Sequence, residues 1–232
     1  MRVLMQLAPV PEVDLSDDEL DEIYRITPAG APDGAWLRVN MVASLDGAAH
    51  GEEGRSGDIN NAVDKRVFFA LRRIADCVVV GAGTARAESY RPARVPIVVV
   101  SRSGVVPESL RGAEPGKVLL ATCEHAEGLA ESRALLGEDN VLVLGTYSVN
   151  LVQLRSRLVA RGWTQILSEG GPHLLHDLLA EGVADELCLT TVPRVISGEH
   201  PRIVHGPPID VQLEPLLLLE EDGTLLGRWL VT

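Results

Sequence analysis

The sequence predicts an α/β domain: a mostly parallel central sheet with helices on both faces and an antiparallel C-terminal edge. Three observations carry this. Strand and helix patterns alternate up to about residue 185, after which strand follows strand. Cys77-Val-Val-Val80 is a continuous apolar run, as in strands buried on both faces. Two strand-to-helix turns are marked by glycine, Val80-Gly-Ala-Gly-Thr84 and Ser168-Glu-Gly-Gly-Pro172.

Residues 1–34 are rich in Pro, Asp and Glu and read as an N-terminal arm beside one domain spanning 35–232. Within the arm, Ser16-Asp-Asp-Glu19 starts a helix, with Glu19 placed for a capping box. Leu20, Ile23 and Tyr24 give that helix a short apolar face. From Ala35 onward, Leu37, Val39, Met41 and Ala43 alternate with Arg38, Asn40 and Val42, the period of a strand. Ser44-Leu-Asp-Gly47 ends it with a turn in which Asp46 reads as structural. After a Gly- and Glu-rich loop, Asn60 or Asn61 caps a helix. Its buried stripe is Val63, Val67, Ala70, Leu71 and Ile74. The strand 77–80 follows, then a short helix from Thr84 to Ser89. Further strands are expected at 97–101, 118–121, 141–144, 165–168, 186–192, 215–219 and 225–231. Helices are expected at 125–136, 150–161 and 172–181, the last stopped by Gly182.

Composition narrows the function. Aromatic residues are only 3% of the chain, so the core is built from Val, Leu, Ile and Ala. No apolar run reaches the ~18 to 20 residues of a membrane helix, and the N-terminus does not read as a signal peptide. A cytoplasmic protein without a membrane partner is expected. The net charge of −12 argues against nucleic acid, whose binding needs cationic patches. Three widely spaced cysteines form neither a disulfide framework nor a zinc spacing. Cys77 and Cys188 lie in apolar strands and read as small buried hydrophobes.

The glycine turns carry the first chemical signal. Gly170 and Gly171 remove side chains where the chain must turn, and Pro172 suits a first helical turn. Exposed N–H groups and the helix dipole then offer a seat for phosphate. At the other turn, Gly81 and Gly83 precede Thr84, but Arg86 stands where a dinucleotide fingerprint has its third glycine. That turn alone reads equally as a tight strand-to-helix connection. Together the two turns point to a nucleotide cofactor along one sheet edge. Ser101-Arg102-Ser103 follows the 97–100 strand, where ligands gather in open α/β sheets. Arg102 could grip the 2′-phosphate of NADP or be a solvated loop residue.

Arg72, Arg91 and Arg94 lie near the first turn, suited to a phosphorylated substrate or to surface salt bridges. Arg73 points to another side of its helix than Arg72. Glu169 could bind a polar substrate edge or cap a helix. His125-Ala-Glu127 matches half of a zinc deaminase signature, but Pro-Cys-x-x-Cys is absent. His173 and His176 lack a third ligand, so no metal site is expected.

Four segments taken in order resemble the reductase domain of bacterial riboflavin biosynthesis, the RibD C-terminal family, which shares the dihydrofolate reductase fold. They are Val42-Ala-Ser-Leu-Asp-Gly47, Leu71-Arg-Arg-Ile-Ala-Asp-Cys-Val-Val-Val-Gly-Ala-Gly-Thr84 and Val98-Val-Val-Ser-Arg-Ser103, with Ser168-Glu-Gly-Gly-Pro172 followed by Leu178-Leu-Ala-Glu-Gly-Val-Ala-Asp-Glu-Leu187. The resemblance covers residues 35 to 232. It implies an NADPH-dependent reductase that converts the ribosyl group of a pyrimidine 5′-phosphate to ribityl, and it implies a homodimer. Carried over by position, Ala43, Asp58, Thr84, Glu88, Ser101 and the turn Gly170, Gly171, Pro172, His173, Leu174 and Leu175 match cofactor-contacting positions. Ser56, Arg72, Arg94 and Glu169 match substrate-contacting ones, with Arg91 able to take the place of Arg94.

Two departures stand out. Asn40 occupies a substrate-side position where the riboflavin enzymes usually carry lysine, and the fused deaminase domain is missing. Asn40 can supply neither a cation nor an acid, so the catalytic proton donor is left unassigned. Reduction of dihydrofolate or another pterin is the alternative within the same fold. A non-catalytic NADPH-binding protein is the alternative outside enzymes.

Overall fold

The computed structural model describes residues 2–6, 14–25, 27 and 33–232. Its strands, in chain order, are β1 (Arg2–Gln6), β2 (Trp36–Ser44), β3 (Cys77–Gly81), β4 (Ile97–Val100), β5 (Val118–Thr122), β6 (Val141–Val143), β7 (Gln165–Ser168), β8 (Glu186–Val192), β9 (Leu213–Glu221) and β10 (Thr224–Val231). The α-helices are α1 (Asp17–Arg25), α2 (Ala62–Ile74), α3 (Ala82–Ala87), α4 (Leu129–Leu136), α5 (Leu151–Val159) and α6 (Pro172–Ala180).

All ten strands join one sheet in the order β1-β9-β10-β8-β2-β7-β3-β4-β5-β6. From β8 to β6 every neighbouring pair is parallel. Beyond β8 the pairs with β10, β9 and β1 are antiparallel. The expected α/β arrangement is therefore what the chain adopts. Alternation along β3 explains its two-sided burial. Val78 and Val80 pack with α1, α2 and α3, whereas Cys77 and Val79 pack with α5 and α6.

Beyond shifts of one or two residues at element ends, two elements differ from the sequence reading. The N-terminal segment contributes a strand, β1, laid along β9. The strand β9 is thus paired on both edges within the same chain, by β1 and β10. The helix expected at 125–136 begins only at Leu129. Residues 125–128 turn instead, because Gly128 is pressed against the backbone of Gly104 and donates its N–H to Ser103 O.

Helix α1 forms as its capping box predicts. Ser16 N–H donates to Glu19 Oε2 at 2.8 Å, and Glu19 N–H returns a bond to Ser16 Oγ. Leu20 and Tyr24 then enter the core beside α2. Arg66 to Asp17 and Arg73 to Asp21 tie the two helices on the outside. Asn61 is the cap of α2, accepting from Asp64 N–H at 2.9 Å.

One buried carboxylate sits where the antiparallel half meets the parallel half. Glu186 on β8 is fully buried and accepts from Arg228 Nε at 2.6 Å and from Trp36 Nε1 at 2.7 Å. Arg38, its register partner on β2, completes the set at 3.6 Å. Arg228 also donates to Ile23 O and stacks over Tyr24, so α1 hangs from the same group. Burial pushes the Glu186 carboxyl up. The Arg228 guanidinium, helped by Arg38 and the Trp36 indole, outweighs that and holds it at about 2.

Arg228→Met leaves that carboxylate buried and under-compensated, and is expected to cost roughly 3–5 kcal/mol in chemical denaturation. The sign with pH follows from a folded-state value below the usual 4.5. Stability from Glu186 is complete above its ordinary range and drains away as pH falls toward 2. Glu186→Gln is expected to flatten that acid limb of a stability-versus-pH curve.

Candidate active site

The site begins where two glycine turns touch. Gly81 at the end of β3 donates its N–H to Gly170 O at 2.8 Å. A Cβ on Gly171 would collide with Thr84 Oγ1. Gly170 has φ +68°, and a Cβ there would lie 2.6 Å from Met41 Sδ. Glycine at these two positions is what lets the strand ends meet.

A cavity opens on each side of this joint. The larger, about 790 Å³, is lined by Gly81, Gly83, Ser101, Arg102, His173 and Leu174 among others. The smaller, about 500 Å³, is lined by Asn40, Ser56, Asp64, Phe68, Arg72 and Glu169 among others. Thr84, Gly171 and Pro172 line both. The two chambers therefore share one thin wall at the C-terminal ends of β3 and β7.

Small and polar groups characterise the larger chamber. Ser101 Oγ and Ser103 Oγ are 3.2 Å apart at the end of β4. Between them Arg102 is exposed, and its guanidinium has no partner among the described residues. The first turn of α6 forms the opposite side, with Pro172 at its start. The loop at 205–207 is latched onto that helix: His205 N–H donates to Pro172 O, and His176 Nε2 lies 2.9 Å from Pro207 O.

The smaller chamber is walled by one face of α2. Asp64, Phe68 and Arg72 recur every four residues, so they line up along the helix. Lys65 and Phe69 flank them. The chain has only two phenylalanines, and both line this chamber, together with Tyr90. Arg72 is gripped at both ends by Glu169, at 2.6 and 2.7 Å. Its guanidinium lies 4.4 Å from the Phe68 ring. Tyr90 Oη donates to Glu169 Oε2 at 2.5 Å. Burial works against the Arg72 charge, and the Glu169 carboxylate more than offsets it. Burial and the same carboxylate push the Tyr90 hydroxyl well above its ordinary value. Arg73 points away to Asp21, as the helical spacing requires.

The expected site residues fall on both sides of the joint, with Thr84, Gly171 and Pro172 in the shared wall. Gly81, Gly83, Thr84, Ser101, Arg102, Gly171, Pro172, His173 and Leu174 gather in the larger chamber. Asn40, Ser56, Arg72, Glu88 and Glu169 gather in the smaller. Glu88 accepts Ser56 N–H at 2.7 Å and so ties the 51–60 loop to the smaller chamber. Five expected residues line neither. Gly170 forms the joint behind the wall, and Leu175 and Ala43 are buried in the core. Asp58 spends its carboxylate on the N–H groups of Glu53 and Arg55. Arg94 donates to Arg73 O outside the chamber, and it is Arg91 that lines it.

Asp64, Lys65, Phe68, Phe69 and Tyr90 were not singled out from the sequence as site residues. The signal was present: a polar and aromatic face of α2 opposite its buried stripe. Asp46 is structural, its carboxylate held at about 2 by the Ser44 hydroxyl and the N–H groups of Ser197 and Ile196. All three cysteines are buried thiols, and burial pushes Cys77 to about 12. Among the described residues, no three His, Cys, Asp or Glu side chains are grouped to hold a metal. No helix there is long and apolar enough to cross a membrane.

The chain belongs to the RibD C-terminal domain family, whose model matches residues 35–224. Among curated proteins it is similar to the 2,5-diamino-6-ribosylamino-4(3H)-pyrimidinone 5′-phosphate reductase of Methanothermobacter thermautotrophicus, 28% identical over 84% of this chain and 95% of that one. The reductase of the same name from Aquifex aeolicus is 26% identical over 82% of this chain and 91% of that one. Among solved structures, a pyrimidine reductase-like protein from Corynebacterium diphtheriae superposes with a TM-score of 0.77, at 24% identity over 92% of this chain and 98% of that one. The Saccharomyces cerevisiae riboflavin biosynthesis reductase shares the fold with a TM-score of 0.66, at 13% identity over 88% and 93%.

The shared wall is sensitive to a single methyl group. Gly171→Ala is expected to cost about 1–3 kcal/mol in chemical denaturation by overpacking against Thr84. Adding Thr84→Ala removes the colliding oxygen, leaves an ordinary 3.7 Å contact to Cβ, and is expected to recover part of the loss.

Proposed function

We propose that this protein is an NADPH-dependent reductase that converts a riboflavin-pathway ribosylaminopyrimidine 5′-phosphate to its ribitylamino form. The observation that carries this reading is the pair of chambers sharing the Thr84, Gly171 and Pro172 wall. A hydride donor and its acceptor must lie side by side with water excluded, and two adjoining cavities meet that need. The names of the curated relatives supply the substrate class.

The larger chamber fits a dinucleotide by its chemistry. Bare glycine backbone admits a close-lying ligand, and the N–H groups of the first turn of α6 suit a pyrophosphate. Arg102, partnerless between two serine hydroxyls, would hold the 2′-phosphate that distinguishes NADPH from NADH. When bound, the cofactor supplies a hydride from C4 of its nicotinamide.

In the smaller chamber, Phe68 and Phe69 offer apolar faces for a flat heterocycle. Arg72 is already neutralised by Glu169, so the substrate phosphate falls to Lys65 and Arg91, both exposed and without a side-chain hydrogen bond or ion pair among the described residues. The locked Arg72, Glu169 and Tyr90 set then acts as a stiff polar wall that orients the ring. A cytoplasmic homodimer completes the reading.

Titration of the purified protein with NADPH and NADH tests the cofactor side. NADPH is expected to bind more tightly. Arg102→Ala should reduce that preference about 10- to 100-fold, the loss of one charge-assisted contact. Binding of neither cofactor would overturn the assignment. On the substrate side, Lys65→Ala with Arg91→Ala is expected to raise KM for the phosphorylated pyrimidine about tenfold or more while sparing its dephosphorylated analogue. Equal effects on both would remove the phosphate role.

A further inference from the structure

Asp64 is a titratable group of the smaller chamber that none of the contacts above uses. It belongs to α2, lines the chamber and is only 5% exposed. Its Oδ1 is buried with no hydrogen-bond partner. The chamber holds one further orphan, Asn40 Oδ1, at the position where a lysine was expected. Buried oxygens without partners destabilise a fold, so two of them lining one cavity point to a ligand that satisfies them.

The other acids of the chamber are committed. Glu169 gives both oxygens to Arg72 and one of them also to Tyr90. Glu88 accepts the Ser56 N–H. His50, from the loop after β2, has Nδ1 2.8 Å from Gly51 O. The groups acting on Asp64 are Thr190 from β8 and Lys65 beside it on α2. Arg91 lines the same chamber as an exposed cation. Burial pushes the Asp64 carboxyl above its ordinary value, against the opposing pull of Thr190 and Lys65.

We propose that Asp64 is a catalytic residue that supplies the proton consumed in the reduction, an inference that rests on the reductase reading above. In the ring-opened substrate, C1′ is double-bonded to the amine nitrogen. Hydride adds to C1′ while the C1′=N π pair moves onto nitrogen, which takes the proton from Asp64 Oδ1. The imine is reduced to a secondary amine at the expense of NADPH, leaving NADP⁺ and the Asp64 carboxylate. Solvent reprotonates the carboxylate before the next turnover. Asn40 Oδ1 accepts a hydrogen bond from the same ligand and helps hold it in place. A carboxyl raised by burial suits this duty, because it keeps its proton nearer to working pH.

The test is steady-state kinetics of wild type, Asp64→Asn and Asp64→Glu with the ribosylaminopyrimidine phosphate, between about pH 5 and 9. Infrared titration of the carboxyl in the free protein gives a readout independent of turnover. Asp64→Asn is expected to lower kcat about 10²- to 10⁴-fold. NADPH affinity and substrate KM should stay within about twofold. Because the acid must be protonated, wild-type kcat should fall as pH rises through the Asp64 pKa. That limb should vanish in Asp64→Asn and shift in Asp64→Glu. The infrared titration should report a carboxyl above the ordinary aspartate range that Asp64→Asn removes. Unchanged kcat and pH profile in Asp64→Asn, or a raised KM with kcat preserved, would overturn the proposal. Where Asp64→Asn fails to fold, an unmoved pH profile in Asp64→Glu overturns it. Wild type that binds NADPH yet reduces no such pyrimidine would instead overturn the reductase reading, and this inference with it.

Discussion

The site depends on a backbone contact with no side chains in between. Gly81 N–H reaches Gly170 O, and Gly171 lies against Thr84. A side chain at Gly170 would collide with Met41, and one at Gly171 with Thr84. With them absent, one thin wall divides two cavities, and each can present its contents to the other. The remainder of the parallel sheet serves to hold those strand ends in register. Its strands are buried on both faces and packed by helices above and below.

Buried carboxylates are stabilised in the same manner at two distant places. Glu186 is held by Arg228 and Arg38 with an indole N–H from Trp36. Glu169 is held by Arg72 with a phenol from Tyr90. Each set combines a forked guanidinium with an aromatic donor, which satisfies the charge without water. One set joins the antiparallel strands and α1 to the parallel half. The other stiffens the wall of the smaller chamber. Asp64 lacks any such guanidinium partner, and that contrast sets it apart among the buried acids of the site.

Much of the fold was legible in the residues. Periodicity located nine of the ten strands, from β2 to β10, because apolar alternation and continuous apolar runs are local patterns. The strand β1 was not legible. It is five residues long, and its pairing partner lies near the other end of the chain. The late start of α4 was hidden for a similar reason, since the contact of Gly128 with Gly104 is tertiary. For the site, both glycine turns and the Ser101-Arg102-Ser103 loop could be read directly. The division of arginines could not. Arg94 and Arg91 are three residues apart, and only the course of the chain after α3 decides which one reaches the cavity.

By itself the sequence determined the order of strands and helices from α1 onward, the two turns that need glycine, and the family. These follow from backbone sterics and from side-chain spacing along a few consecutive residues. Tertiary structure alone decided how charge is distributed in the site. Arg72 and Glu169 are 97 residues apart, and nothing local to either announces that they pair. Glu88 lines the smaller chamber and reaches Ser56, 32 residues away. Asp64 is buried and interacts with Thr190 of β8, a contact its own helix does not reveal. Electrostatics acts through space, and distance in space is what a linear sequence does not carry.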